Sequence, residues 1–331
     1  MRQMARMRRG AMTAALLATA MTGSLITGCT SGGGAIDDGR GNNQIPGPNQ
    51  GTESPTPPAS AGSVLAVKID NVRAARPQTG LEAADIVYAE QVEGGLSRLM
   101  AVYASKLPKV VGPVRSARES DLELLRQFDE PTLAFSGAQH KLLPLINKAP
   151  LRAHPPGKAS EDAYYRGTGK SAPHNLYLRP QRLVASAPGS GALTTGFHFG
   201  TAPAGGSPET SRTVKFPAAR FTFTWSESRQ RWLVAMDGTP TVTTDGNRVA
   251  PATVVVQYVK VRKSKYHDVL GSNSPYTETV GSGTAKVLRD GRVFNVNWAR
   301  PGATDGTEFT TADGAPMNFA KGQVWVVFAK A

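Results

Sequence analysis

The sequence predicts an α+β protein: an α/β-type N-terminal domain with a mixed sheet, followed by a mostly antiparallel β C-terminal domain, a sandwich or small barrel. Between residues 63 and 187, apolar runs of strand length alternate with helix-start signals. A Ser-, Pro- and Gly-rich segment over 186–192 then separates the two halves. From residue 193 to 331, short β-type runs recur with Asp-Gly turns between them, which is typical of antiparallel sheets.

Residues 1–28 have the layout of a secretory signal, with a basic segment from Arg2 to Arg9 and an apolar segment from Ala11 to Ile26. Ile26-Thr27-Gly28-Cys29 resembles a bacterial lipobox, in which Cys29 becomes the lipidated first residue of the mature protein. A non-lipidated signal peptide, or an uncleaved anchor with an incidental cysteine, is the alternative. Two acyl chains on Cys29, palmitate for example, provide the stable anchoring that one chain does not. The lone cysteine excludes an internal disulfide and a cysteine zinc site.

Residues 29–62 are predicted to form a disordered tether, because their composition buries too little apolar surface to fold. The expected location is the cell membrane, lipid-anchored on its extracytoplasmic face. The formal net charge is +13, and about +9 without the four arginines of the signal segment. That charge favours anionic wall polymers, glycans or lipid head groups as partners, whereas the export signal argues against nucleic acid.

Ordered structure is expected to begin with a central strand, Val64 to Asp70, followed by a short helix that starts at a capping box, Thr79 to Glu82. Gly94-Gly95 then separates two β-type runs, the signal of a hairpin with a two-residue turn. This turn would place Gln91 opposite Arg98. Glu93 would be diagonal to Arg98, and Glu90 would lie on the other face of the sheet.

A second capping box, Ser116-x-x-Glu119, predicts a helix whose start is flanked by Arg115 and Arg118. Cations are unfavourable there because the helix dipole is positive at that end. Either the arginines and free N–H groups bind a phosphate, sulfate or carboxylate, or nearby acids such as Glu93 neutralise them in a structural network.

Several catalytic and metal-binding signatures are missing from the sequence. There is no HxH or HExxH pair, no GxSxG elbow, no P-loop and no GxGxxG, so we expect no metal and no cofactor. An L,D-transpeptidase needs a catalytic cysteine, and this class is excluded because the one cysteine of the sequence, Cys29, lies at the lipid anchor. The strongest histidine candidate is His174, which follows Pro173 and precedes the amide of Asn175.

Ordered motifs carry a family resemblance through both halves of the chain. They are Val67-Lys68-Ile69-Asp70-Asn71, Ala75 to Leu81, Ala84 to Tyr88, Glu93-Gly94-Gly95-x-x-Arg98, Gly112 to Arg118, Ala172 to Tyr177, Val254 to Tyr258, Gly281-x-Gly283, Trp298 and Gly322 to Trp325. Together they resemble the YerB-like bacterial lipoprotein family. The resemblance implies two family domains behind a lipobox; the family is one of unknown function, so it implies no activity. Lys68 departs from the pattern, because a hydrophobic residue is usual there. Trp232 to Met236 lacks the aromatic-x-Arg pattern of the C-terminal domain.

Three functions fit these residues, and the sequence leaves open whether the protein is an enzyme. The first is binding of an anionic or polar envelope ligand. The second is an envelope hydrolase or transferase that acts on cell-wall glycan, with Glu90 or Glu93 as acid or base and His174 assisting. The third is a scaffold whose arginine network is structural. The expected ligand-binding residues are Asp70, Asn71, Arg76, Gln78, Glu90, Glu93, Arg98, Arg115, Ser116, Arg118, His174 and Asn175.

Overall fold

The computed structural model describes residues 62–268 and 271–331. The predicted signal peptide, Cys29 and the tether up to residue 61 lie outside the described residues. The described residues group as one compact unit. Within the described ranges, no helix has the length and apolar character needed to cross a bilayer.

The described chain is rich in strands and contains little helix. The strands are β1 (Leu65–Asp70), β2 (Ile86–Gln91), β3 (Ser97–Tyr103), β4 (Thr132–Ala134), β5 (Arg152–His154), β6 (Tyr164–Arg166), β7 (Leu176–Leu178), β8 (Ser207–Pro208), β9 (Ser211–Phe216), β10 (Ala219–Ser226), β11 (Arg231–Met236), β12 (Thr239–Pro240), β13 (Thr253–Val259), β14 (Val261–His267), β15 (Asn273–Thr277), β16 (Gly281–Arg289), β17 (Arg292–Arg300), β18 (Glu308–Thr310) and β19 (Val324–Lys330). The α-helices are α1 (Glu119–Leu125) and α2 (Leu143–Lys148).

One eleven-stranded sheet runs through both halves of the sequence, in the order β18-β17-β16-β13-β19-β2-β3-β1-β4-β5, with β8 paired to β17. The N-terminal part of the sheet is mixed, because β1 is antiparallel to β3 and parallel to β4. The C-terminal part is mostly antiparallel, as the sequence predicts. The strand β19 is parallel to both β13 and β2 and joins the two parts.

Each face of the large sheet is covered by a hydrophobic core. Leu65, Val67 and Ile69 of β1 point into one core, where Phe221 and Phe223 of the four-stranded sheet β12-β11-β10-β9 contact Trp325. Ala66 of β1 faces the other core, to which Leu124 and Leu125 of α1 contribute. Because both faces are covered, β1 is buried throughout, which explains its nearly continuous apolar sequence.

The β2–β3 hairpin differs from the predicted two-residue turn. A 3-10 turn over Glu93–Gly95 connects the strands, and Gly95 is required there, because an added Cβ would lie 2.5 Å from Pro217. The pairing therefore shifts by one residue, so that Glu90 lies opposite Arg98 and Gln91 opposite Ser97. The predicted pairing of Gln91 with Arg98, and the placement of Glu90 on the opposite face, are wrong.

Both predicted capping boxes also differ from the structure. Where the sequence predicts the first of these helices, the structure has a 3-10 turn over Leu81–Ala83, which follows Gly80 with its left-handed φ of +75°. The N-cap of α1 is Arg118 rather than Ser116, and its N–H donates to Asp121 Oδ2 at 2.7 Å. A carboxylate three residues into the helix, not a serine hydroxyl before it, thus satisfies this end of α1.

Candidate ligand-binding cleft

A cleft of about 920 Å³ lies at the end of β1 where the strand reaches Asp70. The ends of β1 and β3, the start of α1, the loop that carries His174 and the β14–β15 hairpin form its walls. Its ionisable lining consists of the arginines Arg98, Arg115 and Arg118, the histidines His140, His174 and His267, and the carboxylates Asp70, Glu93, Glu119 and Asp268.

Glu93 and Arg118 form a two-pronged ion pair on one wall. Arg118 Nε donates to Glu93 Oε1 at 2.6 Å and Nη2 donates to Oε2 at 2.7 Å, and the hydroxyl of Ser274 also donates to Oε1. Burial raises the pKa of Glu93, but the hydrogen bonds and charge of Arg118 outweigh this, and the pKa falls to about 2. Two-pronged arginine–carboxylate pairs are geometrically specific, so Arg118 is held by the protein itself.

Asp70 is the centre of a second polar group. Its side chain is 2 % exposed, and Oδ2 lies 3.3 Å from Arg115 Nε and 2.8 Å from His174 Nδ1. This contact fixes the orientation of the imidazole. The other ring nitrogen of His174, Nε2, has no hydrogen-bond partner among the described residues, and the ring lines the cleft.

Arg98 lies between these two groups and differs from both. Its residue is 9 % exposed, Nη1 donates to the carbonyl of Ser116 at 3.1 Å, and it forms no ion pair with a carboxylate of the described residues. Burial and then the charge of Arg118 lower the pKa of Arg98 to about 10. Buried arginines are ordinarily paired. The guanidinium groups of Arg98, Arg115 and Arg118 thus have two carboxylates between them, those of Asp70 and Glu93.

Behind the cleft, Lys68 is buried with two carboxylates. Its Nζ contacts Glu90 Oε1 and lies 2.7 Å from Asp121 Oδ1, and Ser120 Oγ donates to Glu90 Oε2 at 3.0 Å. Burial raises the pKa of Glu90 to about 7, against the opposing effect of Lys68. Glu90 does not line the cleft. A lysine inside an apolar strand is the sequence signal for this network.

The twelve expected ligand-binding residues divide into two groups. Those that line the cleft are Asp70, Glu93, Arg98, Arg115, Ser116, Arg118 and His174. Those that lie outside it are Asn71, Arg76, Gln78, Glu90 and Asn175.

Most of the second group support the loops around the cleft. Gln78 Nε2 donates to Asn71 Oδ1 at 2.9 Å, and Asn71 Nδ2 donates to Ser97 Oγ at 2.9 Å. Arg76 pairs with Asp237 at 2.9 Å and so ties this loop to β11. Asn175 Oδ1 accepts a hydrogen bond from Arg166 at 2.8 Å.

No local pattern in the sequence indicates the far wall of the cleft. His140, Tyr266, His267 and Ser274 reach it from segments with no local motif, and only the fold brings them together. Within the described ranges, no group of three or more histidine, cysteine or acidic residues is arranged to hold a metal ion.

Two family models match the chain. The model described as the N-terminal domain of a protein of unknown function (DUF3048) matches residues 51–194, and its C-terminal counterpart matches residues 212–326. A curated protein of Bacillus subtilis (strain 168), named "Putative lipoprotein YerB", is 25 % identical over 275 residues, which cover 79 % of this chain and 80 % of that protein. The crystal structure of YerB from Bacillus subtilis is similar in fold, with a TM-score of 0.68 and 20 % identity over 81 % of this chain and 91 % of that chain.

Proposed function

Since this chain belongs to the DUF3048 family of unknown function, we propose that it is a lipid-anchored envelope protein whose cleft binds an anionic group of an envelope ligand. Arg98 carries this proposal. It is a buried guanidinium at the cleft without a carboxylate of its own among the described residues, and a phosphate or carboxylate would complete its pairing. Arg115 and Ser116 line the same part of the cleft.

The anchoring half of the proposal rests on the sequence around Cys29 and on the name of the Bacillus relative. The lipobox places the folded body outside the cytoplasmic membrane, at the end of a tether. Metabolic labelling with an alkyne-modified palmitate tests this: wild-type protein is labelled, and Cys29→Ser is not. Labelling that survives in Cys29→Ser would contradict it.

Arg98→Met separates binding from a structural role. The methionine fills most of the space of the arginine stem and removes the charge that Arg115 and Arg118 repel. We expect a thermal-shift screen of the full-length protein in detergent to show stabilisation by phosphate, phosphosugars or uronic acids. Arg98→Met should lose this response, while its melting temperature without ligand equals or exceeds that of the wild type.

Arg182→Gln is the matched control, because Arg182 is an exposed arginine paired with Asp162. It should bind like the wild type. A large drop in the melting temperature of Arg98→Met, with no ligand response in the wild type, would support the scaffold function instead.

A specific observation also favours hydrolysis as a second function. Asp70 orients His174 so that Nε2 is available in the cleft to accept a proton from water, as in carboxylate–histidine pairs of hydrolases. A pair of catalytic carboxylates finds no support, because Glu90 is buried outside the cleft and Glu93 is held by Arg118. Release of soluble fragments from purified cell-wall glycan, lost in His174→Gln, would support hydrolysis; no release by the wild type would exclude it.

A further inference from the structure

The exposed side of β14 carries a row of basic residues that the cleft does not account for. Lys263, Lys265 and His267 are exposed, and Arg262 is exposed beside them. Among the described residues, only Arg262 of these forms an ion pair, with Glu278 at 2.9 Å. The paired strand β15 contains no charged residue.

The row is continuous with the cleft. Ser264 and Tyr266 alternate with the basic residues and are buried on the inner side, where Ser264 Oγ donates to Glu119 Oε2 at 2.5 Å and Tyr266 lines the cleft. Lys263, Lys265 and His267 follow one another on the exposed side of β14, and the register of β14 against β15 shifts between Lys263 and His267. His267 is both the end of this row and part of the cleft wall.

We propose that β14 extends the cleft into a track for a linear polyanion, an envelope polymer with repeated phosphate or carboxylate groups. One anionic group enters the cleft at Arg98 and the next ones lie along Lys265 and Lys263. This inference rests on the proposed function and names the ligand class. Glu119 and Asp268 also line the cleft, where Glu119 accepts from the Ser264 hydroxyl and Asp268 Oδ1 accepts the N–H of Ser272.

A polymer fits this surface better than a bilayer does. A single row of cations beside an uncharged strand matches a line of charges rather than a plane. The chain that precedes the folded body joins it at the Leu65 end of β1, whereas the cleft lies at the Asp70 end, roughly 17 Å along the strand.

Salt dependence of polyphosphate binding tests the track in the full-length protein in detergent. Each lost contact with a flexible polyanion should lower the slope of log K against log salt concentration by about 0.7 to 0.9. The double variant Lys263→Gln/Lys265→Gln should therefore lose about 1.4 to 1.8 of the slope. Its affinity at low salt should fall on the order of tenfold or more. The control Lys215→Gln/Lys330→Gln removes the same charge from exposed lysines of β9 and β19 and should behave like the wild type.

Three probes separate the outcomes. Inorganic phosphate should bind wild type and the Lys263/Lys265 variant equally, and Arg98→Met not at all. If polyphosphate binds no more tightly than inorganic phosphate, the track is overturned and the cleft proposal stays intact. The same holds if the double variant and its control bind polyphosphate with equal affinity and salt dependence. Polyphosphate binding that needs the lysines but not Arg98 would overturn both the cleft proposal and the continuity of the track. Binding only to vesicles rich in anionic lipid would replace the polymer with a membrane.

Discussion

Replacing Glu90 with glutamine tests how one buried lysine is shared by two carboxylates. Lys68 is fully buried and contacts both Glu90 and Asp121. Burial raises the pKa of Glu90 from 4.5 to about 7, so the group keeps a proton over a range in which an unfolded glutamate has lost it. Glutamine has nearly the shape of the protonated acid and cannot ionise.

The sign follows from proton linkage. The folded protein holds this proton more tightly than the unfolded chain, so the free energy of unfolding falls as the pH rises from about 4.5 to about 7. A difference of about 2.5 pKa units, at 1.36 kcal/mol each, corresponds to about 3 kcal/mol. Glu90→Gln lacks this loss. The difference in the free energy of unfolding between Glu90→Gln and the wild type should therefore grow by about 3 kcal/mol, in favour of the variant, as the pH rises from 4.5 to 7.5. Outside that window the difference should change little.

Urea unfolding followed by tryptophan fluorescence measures this difference, because Trp232 and Trp325 are fully buried. Glu130→Gln, at an exposed carboxylate paired with Arg152, is the control and should not change the pH profile in this window. Parallel profiles for Glu90→Gln and the wild type would mean that Glu90 is ionised throughout and that Lys68 neutralises both carboxylates, which would refute the reasoning.

Three further substitutions test the contacts around the cleft and the core. Glu93→Gln leaves Arg118 without its carboxylate and should cost about 3 kcal/mol in urea unfolding at pH 7. Because the pKa of Glu93 is about 2, the wild type should lose this advantage as the pH falls from 4.5 towards 2, and equal loss in the variant would contradict it. Glu123→Ala removes the acceptor of the Tyr276 hydroxyl and should speed hydrogen exchange in β15; unchanged exchange would argue against the link. Phe221→Ala opens a cavity between the two sheets and should lower the free energy of unfolding by about 4 kcal/mol. A loss below about 1 kcal/mol would mean that the two sheets pack loosely against each other.

The sequence predicted what depends on local patterns. The apolar run of β1 and the β2–β3 hairpin follow from strand periodicity and turn residues, and the structure contains both. Arg98, Arg115 and Arg118, which the sequence analysis assigns to one site, line the same cleft. The register failed because a Gly-Gly pair fits both a two-residue turn and the 3-10 turn observed. In the observed turn Gly95 packs against Pro217, more than 100 residues away, and nothing local encodes that contact.

The partners of Lys68 show the same limit. A lysine in an apolar strand signals a buried charge and hence a need for carboxylates. Its partners lie 22 and 53 residues further along the chain, at Glu90 and Asp121. Choosing them requires the pairing of β2 with β3 and of β3 with β1, and that pairing is a property of the whole sheet.

The central position of β19 leads to a last prediction, that the two sequence halves do not fold separately. Strand β19 lies between β13 and β2, and Val324 to Val327 are each at most 1 % exposed. Burial of the Trp325 side chain alone, at roughly 200 Å², contributes about 5 kcal/mol. Without the C-terminal half, β2 would present an apolar, unpaired edge. We expect residues 62–192 and 193–331, expressed alone, to lack cooperative urea unfolding, and a mixture of the two to regain it. Cooperative unfolding of either piece alone would show that its half of the sheet is stable without β19 joining the two. The predicted domain boundary at 187–193 would then be a folding boundary.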